Sequence, residues 1–256
     1  MDMKSRKLGC ILAAATADAA AQPLHWIYDL NKFRATVSDA VEIEFWSPSA
    51  NPFYCLEMGK QSCYGDQTHA IIISLARKKE FNLEDQKQAT YKMFGPDTDY
   101  SLIDEAMKTG LPVKAAWRNG SIKYFLKKMD EGSKDTGHPD DTQIDGVTKI
   151  APLVAMYAGH PDLLFHVEDV TRMTEDNDIA VAIGLAAARI IERCLLTTNT
   201  NESMIDVVKY VMTGLAANDR TNPQNLDRAV IGFLQEVIDC KDVPHNEAVP
   251  QRFVNS

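Results

Sequence analysis

The residues best suited to chemistry lie in one short segment, 63–68, where a polar loop runs into an apolar stretch. Asp66, Gln67 and Thr68 are consecutive and offer a carboxylate, an amide carbonyl and a hydroxyl, which are oxygen ligands that a hard cation such as Mg2+ accepts. The segment also has the pattern of a helix start, in which Gly65 gives the backbone room and Asp66 is the N-cap. The residues alone favour the capped helix and leave the metal site as the alternative.

A second candidate is a single carboxylate in an otherwise apolar segment. Residues 8–21 are small or apolar around Asp18, a composition that predicts a helix buried on most sides. A buried carboxylate needs a partner, because uncompensated burial costs several kcal/mol. We therefore expect Asp18 either to cap a neighbouring element or to point into a site.

The polar segment 130–146 has no core pattern and is expected to be a loop. Within it Asp140 and Asp141 stand beside His138 and Thr142, which would make an oxygen-rich cluster. Runs of this kind are usually solvated turns. The separation along the chain does not show whether these two aspartates fold toward Asp66.

Helical periodicity dominates the rest of the chain, and strand patterns are nearly absent. We expect an irregular loop over 45–61, no recognisable element over 242–256, and an all-α array of orthogonally packed helices. The expected helices cover 8–21, about 66 to the charged patch 77–80, 83–94, 101–116, a short piece ending at 129, 148–157, 163–173, 179–196, 203–215 and 225–240.

Length, composition and charge narrow the function class. The chain of 256 residues is within the range of one domain, and we expect a single domain over 1–256. No segment reaches the roughly 18 apolar residues that span a bilayer, so no membrane partner is expected. A net charge of −9 disfavours nucleic-acid binding and favours solubility. Five cysteines without a CxxC pair fit a reducing compartment such as the cytoplasm.

Three segments, taken in order, resemble the ADP-ribosylglycohydrolase family: Ala-Asp-Ala-Ala-Ala-Gln-Pro-Leu at 17–24, Tyr-Gly-Asp-Gln-Thr at 64–68 and Gly-Val-Thr-Lys-Ile-Ala-Pro-Leu at 146–153. The first two look most like the branch that contains the J-type crystallins of jellyfish lenses and selenoprotein J. The resemblance covers most of the chain. It implies an all-α, single-domain helical array, with a dinuclear Mg2+ site and an ADP-ribose cleft in the active members.

The resemblance places the family's first metal motif, Thr-Asp-Asp-Thr, at residues 65–68. Asp66 and Thr68 match it, whereas Gly65 stands for the first threonine and Gln67 for the second aspartate. A neutral amide removes about one unit of charge from a site that relies on carboxylates to hold Mg2+. The implied metal site is therefore a degenerate one formed by Asp66, Gln67 and Thr68, with Mg2+ as the one expected cofactor.

Other family positions are also altered. The family's Thr-His pair appears as Thr174-Glu175, which would set an anion against a pyrophosphate and repel it. A second acidic metal motif, near the family's C-terminus, has no counterpart before Ser256, so we expect the domain to lack it.

The remaining site assignments concern substrate contacts and the catalytic base. The predicted substrate-binding residues are Tyr64, Gly65, Asp18, Asp140 and Asp141. A catalytic base would have to come from an acidic residue, and Glu42, Glu44 and Glu57 precede the central motif, but nothing in the sequence selects one of them.

The resemblance to the crystallin branch, with the altered metal positions, predicts a structural eye-lens crystallin that is derived from the ADP-ribosylglycohydrolase scaffold and is catalytically inactive. One alternative is a Mg2+-dependent hydrolase that removes ADP-ribose from modified substrates. Another is a module that binds ADP-ribose, or a related small molecule, without turnover. We expect no nucleic-acid partner, while copies of the chain could self-associate at high concentration.

Overall fold

The computed structural model describes residues 2–40, 42–199, 201–244 and 247–249, apart from the side chains of 104 and 105. Within this part of the chain the only β pairing is two isolated bridges, Tyr54–Val113 and His138–Glu175, so the predicted all-α class is confirmed. The helices are α1 (Met3–Ala21), α2 (Leu30–Val37), α3 (Cys63–Lys78), α4 (Leu83–Phe94), α5 (Ile103–Met107), α6 (Gly120–Asp130), α7 (Asp145–Lys149), α8 (Ala151–Tyr157), α9 (Leu163–Arg172), α10 (Asp178–Leu196), α11 (Met204–Ala216) and α12 (Asp227–Asp239).

Helices α4, α9, α10, α11 and α12 match the predicted segments to within two residues. Side-chain caps explain several of the sharp starts. The side chain of Asn82 accepts from the backbone N–H of Asp85 at the start of α4, and Ser203 forms a capping box with Asp206 at the start of α11. These signals are local in sequence and could therefore be read without tertiary information.

Other helices differ from the prediction. The helix expected over 101–116 is only a 3-10 turn, Asp99–Leu102, followed by the short α5, and the backbone turns at Gly110 with a φ of 90° before Pro112. The single helix expected over 148–157 is divided into α7 and α8, with Pro152 in the first turn of α8. Helix α2 was not predicted, and Asp29 caps it by accepting two backbone N–H bonds.

Helix α1 begins at Met3, earlier than predicted, because Asp2 caps it and accepts from the N–H of Ser5 at 2.7 Å. The expectation that this helix is buried on most sides is wrong. Its only fully buried residues are Ala19 and Ala20, while Leu8 and Leu12 are 54% and 56% exposed. An alanine-rich composition does not show how many faces of a helix are covered. Here α1 packs on α3, α8 and α10 along one side.

The main apolar core lies where α3, α8, α9 and α10 meet. A second cluster lies beneath the first turn of α3 and consists of Cys63, Phe94, Tyr100, Ala116 and Ile122. Because α3 contributes to both clusters, the backbone of 65–68 is held between them. In the described part of the chain, no helix is both long and apolar enough to cross a membrane.

Candidate functional site

Ser62, a fully buried residue, starts helix α3. Its Oγ accepts from the backbone N–H of Tyr64 at 3.1 Å, which makes it the N-cap. The prediction that Asp66 is the N-cap is wrong, because the helix begins at Cys63 and Asp66 already lies inside its first turn. A carboxylate in that turn still interacts favourably with the helix dipole.

The partner of Asp18 is this same helix start. The backbone N–H of Ser62 donates to Asp18 Oδ2 at 2.7 Å, and its hydroxyl donates to Asp18 Oδ1 at 2.5 Å. Of the two roles considered for Asp18, the structure therefore shows the capping of a neighbouring element. The two bonds attach the end of α1 to the start of α3.

Gly65 packs directly against Asp18. A Cβ atom at this position would overlap Asp18 Oδ2 and the side-chain oxygen of Gln61. Gln61 is itself fixed, because its Nε2 donates to the carbonyl of Ala15 at 3.0 Å. The space that a threonine side chain would occupy in the family motif is thus filled by oxygens of Asp18 and Gln61.

Asp66 is half-buried beside Tyr100. The Tyr100 hydroxyl donates to Asp66 Oδ2 at 2.7 Å. Burial raises the pKa of Asp66 above its usual range, although the bond from Tyr100 acts in the opposite direction. The nearby carboxylates of Asp18 and Asp99 add to the increase. Asp66 is therefore a positioned acidic group at the start of α3.

Gln67 and Thr68 have different surroundings from Asp66. Gln67 is 3% exposed, and both of its amide atoms are buried with no hydrogen-bond partner in the described structure. The Thr68 hydroxyl donates to the carbonyl of Thr148 at 2.9 Å, which connects α3 to the end of α7. Successive helix residues are about 100° apart around the axis, so these three side chains diverge.

This geometry tests whether the predicted residues fit a magnesium ion. Mg2+ requires a near-octahedral set of oxygens that includes carboxylates. Of the three candidates only Asp66 carries a carboxylate, and the hydroxyl of Thr68 is already used between helices. Among the described residues no group of three or more Asp, Glu, His or Cys side chains is arranged to hold a metal. The residues present do not form a preassembled Mg2+ site, and Mg2+ binding stays a prediction.

Tyr64 is half-buried in a cluster of aromatic rings. Its ring centroid lies 6.1 Å from that of His25 and 6.5 Å from that of Trp26, both in edge-to-face geometry. Burial raises the pKa of its hydroxyl. Gly65 thus lies against Asp18 and Tyr64 in the neighbouring aromatic cluster, whereas a contact of either residue with a substrate stays a prediction.

Asp145 was missed by the sequence analysis although it is a central acidic residue of this region. It is buried at the start of α7, where it accepts from the Ser121 hydroxyl at 3.1 Å and from the Asn119 amide. Burial raises its pKa, and the charge of Lys149 opposes this increase. One signal could have found it, since Asp145 directly precedes the segment 146–153.

Lys149 and Glu175 form an ion pair in the interior. Lys149 Nζ lies 3.5 Å from Glu175 Oε2 and also donates to the Thr174 hydroxyl. Glu175 has no exposed surface, and burial raises its pKa to about 7 even though Lys149 acts to lower it. The expectation that Glu175 faces a pyrophosphate does not hold in this structure, because its side chain points into the core.

The two aspartates of the 130–146 loop have different environments. Asp141 is buried against the start of α6. Its Oδ2 lies 3.4 Å from the position that a Cβ would take on Gly120, the first residue of that helix. Its charge raises the pKa values of Asp145 and Glu175, which places it in their cluster. Asp140 is exposed in the adjoining turn, where its N–H donates to His138 Nδ1 at 3.1 Å.

The carboxylates thus fall into two groups. Asp18 and Asp66 flank the start of α3, whereas Asp145 and Glu175 lie near Lys149 and both interact with the charge of Asp141. The bond between Thr68 and Thr148 joins the two groups. The candidate bases Glu42, Glu44 and Glu57 are all exposed, so burial selects none of them.

Comparison with known proteins gives two kinds of match. A family model described as ADP-ribosylglycohydrolase matches residues 1–254. Crystallin J1A of Tripedalia cystophora is 37% identical over 193 residues, which are 75% of this chain and 59% of that protein. Crystallin J1B of the same organism is 34% identical over 208 residues, which are 81% of this chain and 64% of that protein. The chain therefore spans less than two thirds of the length of these curated relatives.

Proposed function

This chain belongs to the ADP-ribosylglycohydrolase family, and from that premise we propose that it serves as a structural lens crystallin without catalytic turnover. The observation that carries the proposal is the similarity to two crystallins, at 37% and 34% identity. A lens protein must remain folded and dispersed at high concentration, and it does not need an active site. The lack of catalytic activity, the lens as the tissue, and the partners of the whole protein are all part of this proposal.

The start of α3 supports the lack of turnover. The position of the first family threonine is Gly65, and neighbouring oxygens fill the space that a side chain would need. At the position of the family's second aspartate this chain has Gln67, whose side chain is buried and neutral. Thr68 keeps the family residue type but binds a backbone carbonyl with its hydroxyl. Each of these three positions contributes to packing within the chain.

Bulk properties support a crowded cytoplasmic setting. The formal net charge of −9 keeps copies apart through mutual repulsion. The five cysteines are free thiols in the structure, and such thiols persist in a reducing compartment. A cytoplasmic location and the lack of a nucleic-acid partner are part of the proposal.

The second candidate is a protein that binds ADP-ribose or a related small molecule, or hydrolyses its linkage with the aid of Mg2+. Asp66 favours this alternative, because Tyr100 holds its half-buried carboxylate at the start of α3, as expected of a positioned acidic residue. Tyr64, Gly65, Asp18, Asp140 and Asp141 are its proposed ligand contacts.

Calorimetry separates the two candidates. ADP-ribose is titrated into the protein with and without millimolar Mg2+, and the titration is repeated with Asp66→Ala. The crystallin proposal expects no heat of binding in any arm. Micromolar binding that requires both Mg2+ and Asp66 contradicts it and calls for a hydrolysis assay. Binding that leads to no product release in that assay identifies the binding module.

A further inference from the structure

Among the described residues nothing covers the outer side of α1, an apolar surface that we call the α1 face. It consists of the exposed residues Leu8, Gly9, Leu12, Ala13, Thr16 and Ala17. A groove of about 350 Å3 runs beside it and is lined almost entirely by apolar side chains of α1, α3 and α8. A helix that exposes adjacent leucines beside an apolar groove has the surface of a protein interface.

The α1 face is also shaped for close approach by another helix. Gly9, Ala13 and Ala17 are spaced four residues apart and therefore line one side of α1. In the described part of the chain, no atom lies within 4 Å of the position that a Cβ would take on Gly9, so the space above it is open. Flanking leucines supply the ridges, and the small residues leave the groove into which such ridges pack.

The two ends of the α1 face carry opposite charges. At the N-terminal end Lys4 is exposed beside the partly exposed Met3. At the C-terminal end the N–H of Phe45 donates to the carbonyl of Ala20 at 2.9 Å, which ties an acidic loop to the helix. This loop exposes Glu42, Glu44 and the apolar side chains of Ile43 and Phe45.

We propose that the α1 face is the interface of a dimer in which α1 packs antiparallel against α1 of a second copy. In that arrangement the basic, apolar end of each helix meets the acidic, apolar end of the other. Lys4 faces the second copy's Glu44, and Met3 faces its Phe45. A two-fold axis repeats both contacts, which is the self-complementarity that a symmetric dimer requires.

The extent of the surface determines the strength of the dimer. Helix α1 has 19 residues and is about 28 Å long. A standard interface buries roughly 800 Å2 on each partner, and one helix face of this length, about 10–12 Å wide, covers less than that. The dimer therefore forms in a concentration-dependent manner and coexists with monomer, which goes beyond the proposed lens role.

Sedimentation velocity over a concentration series tests the interface. The wild type is expected to shift from monomer toward dimer as the concentration rises. Leu12→Glu places a charge in the centre of the α1 face and should abolish the shift. The matched control is Leu102→Glu, an equally exposed leucine in the 3-10 turn before α5, which should leave the shift intact.

Charge reversal tests the antiparallel arrangement. Lys4→Glu and Glu44→Lys should each weaken the dimer, and the double variant should restore it, because the pair is re-formed with opposite signs. The proposal is overturned if the double variant does not dimerise, or if Leu12→Glu still dimerises. A protein that is monomeric at all concentrations also overturns it. If Leu12→Glu then lowers the melting temperature of that monomer, the face is covered within its own chain.

Discussion

At the scale of single residues, packing explains Gly65 better than backbone conformation does. Gly65 lies within α3, where any residue type has an allowed conformation, but its neighbours leave no space for a side chain. Asp18 and Gln61 cannot move away freely, because each is held by its own hydrogen bonds. Gly65, one of the two residues that depart from the family motif, is therefore part of the contact between α1 and α3.

Gly65→Ala is expected to destabilise the protein by about 1–3 kcal/mol, since the new methyl group forces one of these bonds to break. Urea unfolding measures the change. The control is Gly214→Ala in α11, where a Cβ meets no atom within 4 Å and alanine should stabilise the helix by about 0.5–1 kcal/mol. Equal effects at the two glycines would contradict the packing explanation.

Glu175 gives the protein a pH-dependent stability. Its pKa is about 7 in the folded protein, raised from 4.5, so the folded state binds the proton more tightly than the unfolded state does. This contribution to stability is fully present below the unfolded pKa and is lost as the pH rises through the folded pKa. The relevant window is therefore pH 4.5 to about 7.

Glu175→Gln should remove this dependence, because glutamine has nearly the shape of the protonated acid and does not titrate. The variant is expected to equal the wild type at the acidic end of the window. It should then become the more stable protein by a few kcal/mol as the pH rises from 4.5 to about 7, and the difference should stay constant above that pH. Urea unfolding of both proteins at several pH values measures the difference in stability. Asp145, whose pKa is also raised, is present in both proteins, so its contribution cancels in that difference. Two parallel stability curves would show that Glu175 does not titrate in this range.

At the scale of elements, the start of α3 is bonded to three other parts of the fold. Ser62 binds α1 through Asp18, Asp66 binds the 3-10 turn through Tyr100, and Thr68 binds α7 through Thr148. Asp66 and Thr68 reach different neighbours because residues two apart in a helix are about 200° apart around its axis. The segment whose residues are best suited to chemistry is thus also the point where several elements are bonded together.

Ser62→Ala should cost about 2 kcal/mol, because it removes both the N-cap and one of the hydrogen bonds to the Asp18 carboxylate. Ser203→Ala is the comparison, since Ser203 caps the exposed start of α11 and its loss should cost only about 1 kcal/mol. Thermal or urea unfolding of both variants gives the ranking. A larger loss for Ser203→Ala would show that Asp18 does not depend on the Ser62 hydroxyl.

At the scale of the whole molecule, net charge is the property most relevant to a crowded protein. The formal charge is −9 at pH 7 and the isoelectric point is about 5.2. Repulsion between copies competes with contacts such as the proposed α1 dimer. Salt screens this repulsion, and at 0.1 M ionic strength charges more than about 10 Å apart interact only weakly.

The prediction of a single domain over 1–256 stays a prediction.

Static light scattering of Leu12→Glu, the variant designed to lack the α1 contact, should give a positive second virial coefficient at pH 7 and low salt, because the net charge dominates. The coefficient should fall when salt is added and should become negative as the pH approaches 5.2. A coefficient that does not respond to salt or pH would mean that charge repulsion does not keep this protein dispersed.

The sequence by itself determined the all-α class, most helix positions and the family. These depend on local patterns: apolar residues at helical spacing, capping residues such as Ser203 and Asn82, and motifs such as 64–68. It also identified Asp18 as a carboxylate that needs a partner and Asp66 as an acidic residue at the start of a helix. Such properties follow from residue types and their spacing, which do not depend on distant segments.

Only the tertiary structure decided which partners those residues have. Ser62 rather than Asp66 caps α3, because Asp18 from a distant helix holds it in place. Asp145 and Glu175 became important through burial beside Lys149, and burial is set by every element that packs around a residue. The exposed side of α1 was misjudged for the same reason, since composition records what a helix carries but not what covers it.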